Sequence, residues 1–352
     1  MSKKLFDFAI GNPPYNEDFN NSGDNGKFAK PVYNQFMDAS YQIADKVELI
    51  HPARFLFNAG STPKDWNEKM LSDPHFKVLQ YEPDASNIFP NTDIKGGVVI
   101  TYHNTDVDYG AINVFTAFNE LNSILRKVSP KIQDTNQSLT SIITGRGAYR
   151  LSKLALKDHP EIEKLQSKGH ATDVGSGAFK VLNGVVFFDS KPNDGNEYVK
   201  FLGLISNKRV YRWGRIDYQS TPQSFFKYKV FMPQANGSGS LGEVLSAPLV
   251  GEPLVGATET FLSVGCFDTQ NEAEHCLKYI KSKFARAMLG ILKVTQAITR
   301  EKWKYVPIQD FTDHADIDWS KSIKEIDQQL YRKYGLDEAE INFIESHVKE
   351  MS

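Results

Sequence analysis

Leu5-Phe6-Asp7-Phe8-Ala9-Ile10-Gly11-Asn12-Pro13-Pro14-Tyr15 decides how the rest of the chain is read. An apolar run of strand length breaks into Asn-Pro-Pro-aromatic, which reads as a short buried strand opening onto a polar pocket with a flat lid. The two prolines fix φ and remove two backbone donors, so the carbonyls beside them face an incoming group unpaired. The Asn12 side-chain oxygen and the Pro13 carbonyl can accept both hydrogens of an exocyclic amine, while Tyr15 stacks on the ring that carries it. The plainer alternative is a strand that ends in a proline-rich turn with an exposed Tyr.

Working outward, residues 16–30 are dense in Asn, Asp and Gly and read as a mobile loop. Val32, Phe36, Ala39, Ile43 and Ala44 recur at helical spacing, giving a helix of about three turns. Val47-Glu48-Leu49-Ile50 reads as a strand stopped by Pro52. Asp65 to Leu71 reads as helix, Phe76 to Tyr81 as strand, and Gly97 to Tyr102 as another strand. This alternation argues an α/β sheet up to about residue 115. A helix from Phe115 to Lys127, ended by Pro130, leads out of it.

From about residue 130 to 310 the pattern changes to short β-like runs (Val181 to Phe188, Val230 to Met232, Phe261 to Val264) between Gly/Ser/Pro loops. One helix, Asn271 to Leu289, carries Ala273, Cys276, Leu277, Ile280, Phe284 and Met288 on one face. This stretch reads as a separate α+β domain. Ser320 to Ser352 shows two helical patterns split by Tyr334-Gly335-Leu336, with Gly335 suited to the position just past a helix end.

A length of 352 residues fits two domains and a tail. A net charge of −2 means that any nucleic-acid surface is local rather than global. The 23 Phe, 15 Tyr and 4 Trp suit base stacking and a large core equally. Cys266 and Cys276 have no metal-ligand spacing and the His residues form no HExxH cluster, so no metal site is expected and a reducing cytoplasm fits. No run is long and apolar enough to span a membrane, and the N-terminus lacks a signal-peptide pattern.

The motif segments recur in an ordered set: Asn12-Pro13-Pro14-Tyr15, His51-Pro52-Ala53-Arg54-Phe55-Leu56, Met70-Leu71-Ser72-Asp73, and Phe89-Pro90-Asn91-Thr92-Asp93-Ile94-Lys95-Gly96-Gly97-Val98. Met232-Pro233-Gln234-Ala235-Asn236-Gly237-Ser238-Gly239, Lys293-Val294-Thr295-Gln296 and Tyr334-Gly335-Leu336 follow. In this order they resemble the adenine-N6 DNA methyltransferases of type II and type IIG restriction–modification systems. The resemblance implies methyl transfer from S-adenosylmethionine to an adenine flipped out of double-stranded DNA. Asn12 and Pro13 would accept the amine hydrogens, Tyr15 would stack on the base, and Pro14 would touch the methyl donor. Tyr102, at the end of the Gly-Gly-Val strand, would face the base from the other side; its alternative is an ordinary strand-end Tyr.

The departure from the family lies in the cofactor loop, which the family carries upstream of the motif. Asp173-Val174-Gly175-Ser176-Gly177-Ala178-Phe179 is the one later candidate, but it follows no apolar strand and leads into a strand pattern, so it reads as a turn. The expected fold is therefore α/β: a partial Rossmann-like methyltransferase sheet (1–128), an α+β target-recognition domain (129–312) and a helical C-terminal tail (313–352). The run Leu5 to Ile10 would then be an open edge without a blunting proline. A second chain supplying the cofactor half, or a truncated gene product, is expected. The alternative function is a DNA-binding specificity module, inactive without that partner.

Between Lys208 and Lys229 six basic residues (Lys208, Arg209, Arg212, Arg215, Lys227, Lys229) and one acidic residue, Asp217, are interleaved with aromatics over 22 positions. That mixture suits phosphate contacts and base packing, or simply a solvated face. Lys293, Gln296, Thr299, Arg300 and Lys302 form a second DNA-binding candidate. Asp84, Asp93 and Lys95 fit a nuclease-like spacing, though the methyltransferase reading already accounts for them. Gly237, Gly239 and Gly242 lack a following Gly-Lys-Ser/Thr and read as a loop, not a phosphate cradle.

Overall fold

The computed structural model describes residues 4–17, 30–90, 92, 94, 96–135, 137–237, 239–293 and 295–351. They form a mixed α/β protein that divides into two compact units, Met1–Asn119 and Glu120–Ser352. In the first unit the elements are β1 (Phe6–Gly11), α1 (Tyr33–Ile43), β2 (Ala44–Pro52), α2 (Lys64–Ser72), β3 (Phe76–Glu82) and β4 (Val98–Asn104). Most of the expected loop, residues 18–29, lies outside the described residues.

The four strands make one sheet in the order β1-β2-β4-β3. β1 and β2 are parallel, with Phe8 opposite Lys46 and Gly11 opposite Leu49. Parallel neighbours need a crossover, and α1 supplies it. β4 is antiparallel to both β2 and β3. Its entry requires Gly97 at φ 78°, where a Cβ would lie 2.2 Å from the Glu82 carbonyl oxygen.

Strand alternation sorts the sheet into two unlike faces. Val47 and Leu49 pack with Tyr33 and Met37 of α1, Trp66 and Met70 of α2, and Phe55 and Phe76. Ala9 of β1 joins this side. Phe6, Phe8 and Ile10 alternate with Ala9 and are 54%, 53% and 76% exposed, and Leu5 before them is 76% exposed. β1 is therefore not the buried strand that its apolar run suggests. The open edge expected of it is present: among the described residues β1 pairs only with β2. Burying such side chains stabilises by about 1.5–3 kcal/mol each, so this surface favours a cover.

The second unit begins with α3 (Asn119–Thr135), whose Leu121, Ile124, Leu125 and Val128 are buried. The helix starts later than its apolar pattern suggests, because the Thr116 hydroxyl bonds the Phe118 backbone in a turn. Pro130 does not end it: the buried turns before the proline hold the helix, which loses one N–H bond and continues to Thr135. Lys127 reaches Asp337 and Glu340 at 3.1 and 2.6 Å, so the C-terminal helices pack within this unit rather than forming a separate tail.

Two four-stranded sheets follow. One orders Leu249–Gly251, Tyr228–Pro233, Phe261–Phe267 and Ile143–Thr144, all antiparallel. The other orders Val255–Ala257, Tyr198–Ile205, Lys208–Arg215 and Phe187–Phe188, with its first pair parallel. Val181 to Phe188 is not one strand: Ala178–Val181 is a helical turn, Asn183 makes an isolated bridge to Phe187, and Phe187–Phe188 is the strand. Phe179, Phe187 and Phe201 form the core between these pieces, so the apolar run was a packing signal rather than a strand signal.

The helix expected over Asn271–Leu289 is two, Gln270–Lys281 and Lys283–Gly290. The Ser282 hydroxyl accepts the Ala285 N–H, and the buried Asp327 carboxylate accepts those of Lys283 and Phe284. These acceptors satisfy a helix start that sequence periodicity does not reveal. Helices Ile323–Tyr334 and Glu338–His347 each open with a capping box, and Gly335 closes the first at φ 64°.

Candidate active site

Because β1 and β2 run parallel, Asn12 leaves the sheet at the carboxyl end of both strands, where open α/β sheets receive their ligands. Asn12 and Pro14 are exposed, and Pro13 and Tyr15 half-buried. The Tyr15 carbonyl accepts the Val32 N–H at 3.0 Å, and the Lys30 carbonyl accepts that of Glu17 at 2.9 Å. These two bonds tie the segment after the prolines to the start of α1. The Tyr15 hydroxyl is buried without a hydrogen bond of good geometry. Burial raises its pKa, and the neighbouring Asn12 side chain opposes that rise. The structure thus brings Asn12 and Tyr15 together, with the Asn12 carboxamide open to solvent.

The strands behind the motif are held by a neutral histidine. His51 Nδ1 donates to the Pro52 carbonyl at 3.3 Å, and Nε2 accepts from the Thr101 hydroxyl at 2.8 Å. Complete burial pushes the ring pKa down to about 4. Tyr33 stacks on the ring with centroids 5.6 Å apart. Sequence reading assigned His51 no role of its own. Its place in the alternation Val47, Leu49, His51 was the available signal for an inward-facing side chain.

Tyr102 is not brought to the motif. β4 is antiparallel to β2, so the C-terminal end of β4 points toward the amino end of β1. Tyr102 stands opposite Glu48, which faces Ile10, and its ring lies 6.2 Å from Phe8 and beneath the Lys77 ammonium at 5.4 Å. It is set back along the sheet from Asn12 rather than across the pocket from it.

The basic stretch separates into exposed and buried members. Lys208 and Arg209 are exposed on the strand Lys208–Arg215, and Arg209 donates to the Ser246 carbonyl. Arg212 pairs with Asp189, Arg215 pairs with Asp217 at 2.7 Å, and Lys227 pairs with Asp268. Lys229 must be removed from the DNA-binding set: it is fully buried and donates to the carbonyls of Phe225, Lys227 and Glu252. Its strand, Tyr228–Pro233, is covered on both faces, so Lys229 has no solvent side, and desolvation pushes its pKa down to about 7. Lys293 is corrected likewise, being buried and paired with Glu243 at 3.0 Å. Gln296 is exposed, and Arg300 is exposed with its Nε donating to the Thr140 carbonyl.

Asp84 is an exposed turn cap that accepts from the Ser86 backbone and hydroxyl, while Asp93 and Lys95 lie outside the described residues. Among the described residues no group of three His, Cys, Asp or Glu side chains is placed to hold a metal, and no helix is long and apolar enough to cross a membrane. Asp173 to Phe179 leads from a bridge with Arg150 into the four-residue helix Ala178–Val181. This is not the strand-to-helix loop that cradles a nucleotide-like cofactor.

Residues 1–89 match the family model of the Eco57I restriction-modification methylases. An uncharacterized adenine-specific methylase of Mycoplasma pneumoniae (strain ATCC 29342 / M129 / Subtype 1) is 31% identical over 94 residues, 26% of this chain and 22% of the relative. The chain therefore spans about a fifth of that relative's length. Among solved structures, the type IIG restriction endonuclease BpuSI aligns over 86% of this chain and 44% of its own, at 13% identity and a TM-score of 0.29, too low to equate the folds. The resemblance carried by the motif residues is borne out over the N-terminal segment, which is similar to restriction–modification adenine methylases.

Proposed function

We propose that this chain, whose N-terminal segment is similar to restriction–modification adenine methylases, is the catalytic-motif and target-recognition portion of a site-specific DNA adenine-N6 methyltransferase. The observation that carries this reading is the placement of Asn12 and Tyr15 together at the carboxyl end of a parallel strand pair, inside the segment that matches the family. The Asn12 side-chain oxygen and the Pro13 carbonyl accept the two N6 hydrogens of an adenine turned out of the duplex. Accepting both keeps electron density on the nitrogen, which is the nucleophile. Tyr15 stacks on the base and holds it in line, and no covalent enzyme intermediate is needed.

S-adenosylmethionine supplies the methyl group in this reading, with Pro14 on the donor's side. The described residues do not themselves build its pocket, since no glycine-rich strand-to-helix turn stands beside β1. The open edge of β1 and the apolar side chains Phe6, Phe8 and Ile10 fit a second strand-bearing polypeptide segment that completes the sheet. This open edge also favours a second reading, a DNA-binding specificity module that becomes catalytic only with that segment. The Rossmann-like character of the sheet belongs to the same proposal.

The test is N6-methyladenine content, by mass spectrometry, in a host whose own DNA lacks the modification and which expresses this chain with its genomic neighbours. Asn12→Ala is expected to lower methylation by at least about 100-fold while DNA affinity stays within about twofold. Methylation that survives Asn12→Ala contradicts the catalytic assignment. DNA binding without methylation by the wild type selects the second reading.

A further inference from the structure

In the second unit Phe188, Trp213 and Lys200 stand side by side on three neighbouring strands of one sheet. The residues that flank Trp213 fix which way it faces. Gly214 stands opposite Phe187 and Val199, and Arg212 opposite Phe201, and these three partners belong to the core. Alternation therefore puts Trp213 on the other face, where it is half-buried, with Tyr211 two residues back exposed.

Two ammonium groups converge on the Trp213 ring. Lys200 Nζ lies 5.4 Å from its centroid and Lys191 Nζ 5.8 Å, and both lysines are exposed. Among the described residues neither has a carboxylate partner, whereas Arg212 pairs with Asp189 and Arg215 with Asp217. Asp194 accepts from the Tyr198 hydroxyl at 2.8 Å rather than from Lys191. At Tyr211 burial raises the hydroxyl's pKa, Glu252 adds to the rise and Arg209 opposes it, so charges of both signs lie near that ring. The uncompensated positive charge of this face is thus gathered at Trp213. The two like charges repel, and one indole offsets them only in part.

An anion placed between the two ammonium groups removes that repulsion. We propose that Lys191 and Lys200 hold a phosphate of the DNA backbone at Trp213, whose indole packs against the adjoining sugar. The aromatic surface is what favours a nucleotide strand over an acidic peptide: a carboxylate needs only the charges, while Trp213 and the exposed Tyr211 add flat rings that sugars and bases pack on. On a chain of net charge −2, a local gathering of unpaired cations is the form that a DNA-binding surface takes. Such a contact fixes the position of the duplex and reads no base. The inference rests on the reading of this chain as a DNA-recognising protein, and adds two lysines from outside the basic stretch Lys208 to Lys229.

The experiment is fluorescence anisotropy of the full chain with a labelled random-sequence DNA duplex, repeated over a series of salt concentrations. The double variant Lys191→Gln, Lys200→Gln is expected to bind about tenfold more weakly at low salt, with the slope of log affinity against log salt reduced by about one. The loss is expected to be equal on duplexes of different sequence. Thermal melts check the fold, and should the double variant melt early, Lys191→Gln and Lys200→Gln singly carry the same comparison. An unchanged slope in the folded variants overturns the proposal and leaves the methyltransferase reading intact. Lysines that are needed for binding polyglutamate but not the duplex assign the face to an acidic protein partner and overturn it as well. A wild type that binds no duplex overturns both this inference and the DNA-recognising reading.

Discussion

The edge of β1 and the interior of the second unit use their residues in opposite ways. At β1, Phe6, Phe8 and Ile10 stand in water. In the second unit, Lys229 and Asp327 are buried, and each has its hydrogen bonds filled by backbone groups. Among the described residues, apolar side chains left uncovered mark an open surface, while charges buried and satisfied mark a finished interior. The comparison teaches that residue type alone does not settle burial; the number of covering elements and available backbone partners does.

The sharpest way to break this comparison is to remove a buried charge. Lys229→Met leaves three carbonyls without their donor and is expected to lower unfolding free energy by about 3–5 kcal/mol in urea denaturation. Lys208→Met, on the exposed strand, should stay within about 0.5 kcal/mol. Equal effects at the two positions would mean that the buried lysine is not part of a finished interior.

A pH titration probes the first unit's covered face. The unfolded His51 ring takes up a proton near pH 6.5, whereas the folded ring resists until about 4. The unfolded state therefore binds more protons in that window, and stability is lost as pH falls through it, by about 3 kcal/mol in total. His51→Gln is expected to flatten the decline measured by chemical denaturation. A decline of the same depth in the variant would assign the effect to other groups.

The half-buried, ion-paired arginines of the strand Lys208–Arg215 give a smaller effect. Arg212→Ala and Arg215→Ala should each weaken DNA binding by a few-fold and reduce the salt slope by about one, if each contacts a phosphate. An unchanged slope would assign both to their ion pairs with Asp189 and Asp217. Least of all should happen at β1: Phe8→Asp is expected to change stability by less than about 0.5 kcal/mol while reducing self-association in light scattering. A loss of more than about 2 kcal/mol would show that Phe8 is covered after all.

Much of the first unit was legible in the sequence. The apolar runs of β1, β2, β3 and β4 lie where period-two patterning puts them, and the Asn12-Pro13-Pro14-Tyr15 turn announces its own break. Tyr102 was misplaced because strand direction is a tertiary fact: nothing local says that β4 runs antiparallel to β2. Lys229 and Lys293 were misread because a cation's burial depends on acceptors distant in sequence, such as the Glu252 carbonyl and the Glu243 carboxylate. The break at Ser282 was hidden for the same reason, since its second acceptor, Asp327, comes from another helix. Gly335 was legible because its left-handed conformation is a local requirement.

The most direct test of the central claim, that the Asn12–Tyr15 motif is carried on an open edge strand, is amide hydrogen exchange resolved across β1 and β2. With β1 bonded only to β2 among the described residues, amides of Phe6–Gly11 that face away from β2 are expected to exchange orders of magnitude faster than those in Val47–His51. Uniform protection of β1 at the level of β2 would contradict the account, because the edge would then already be paired.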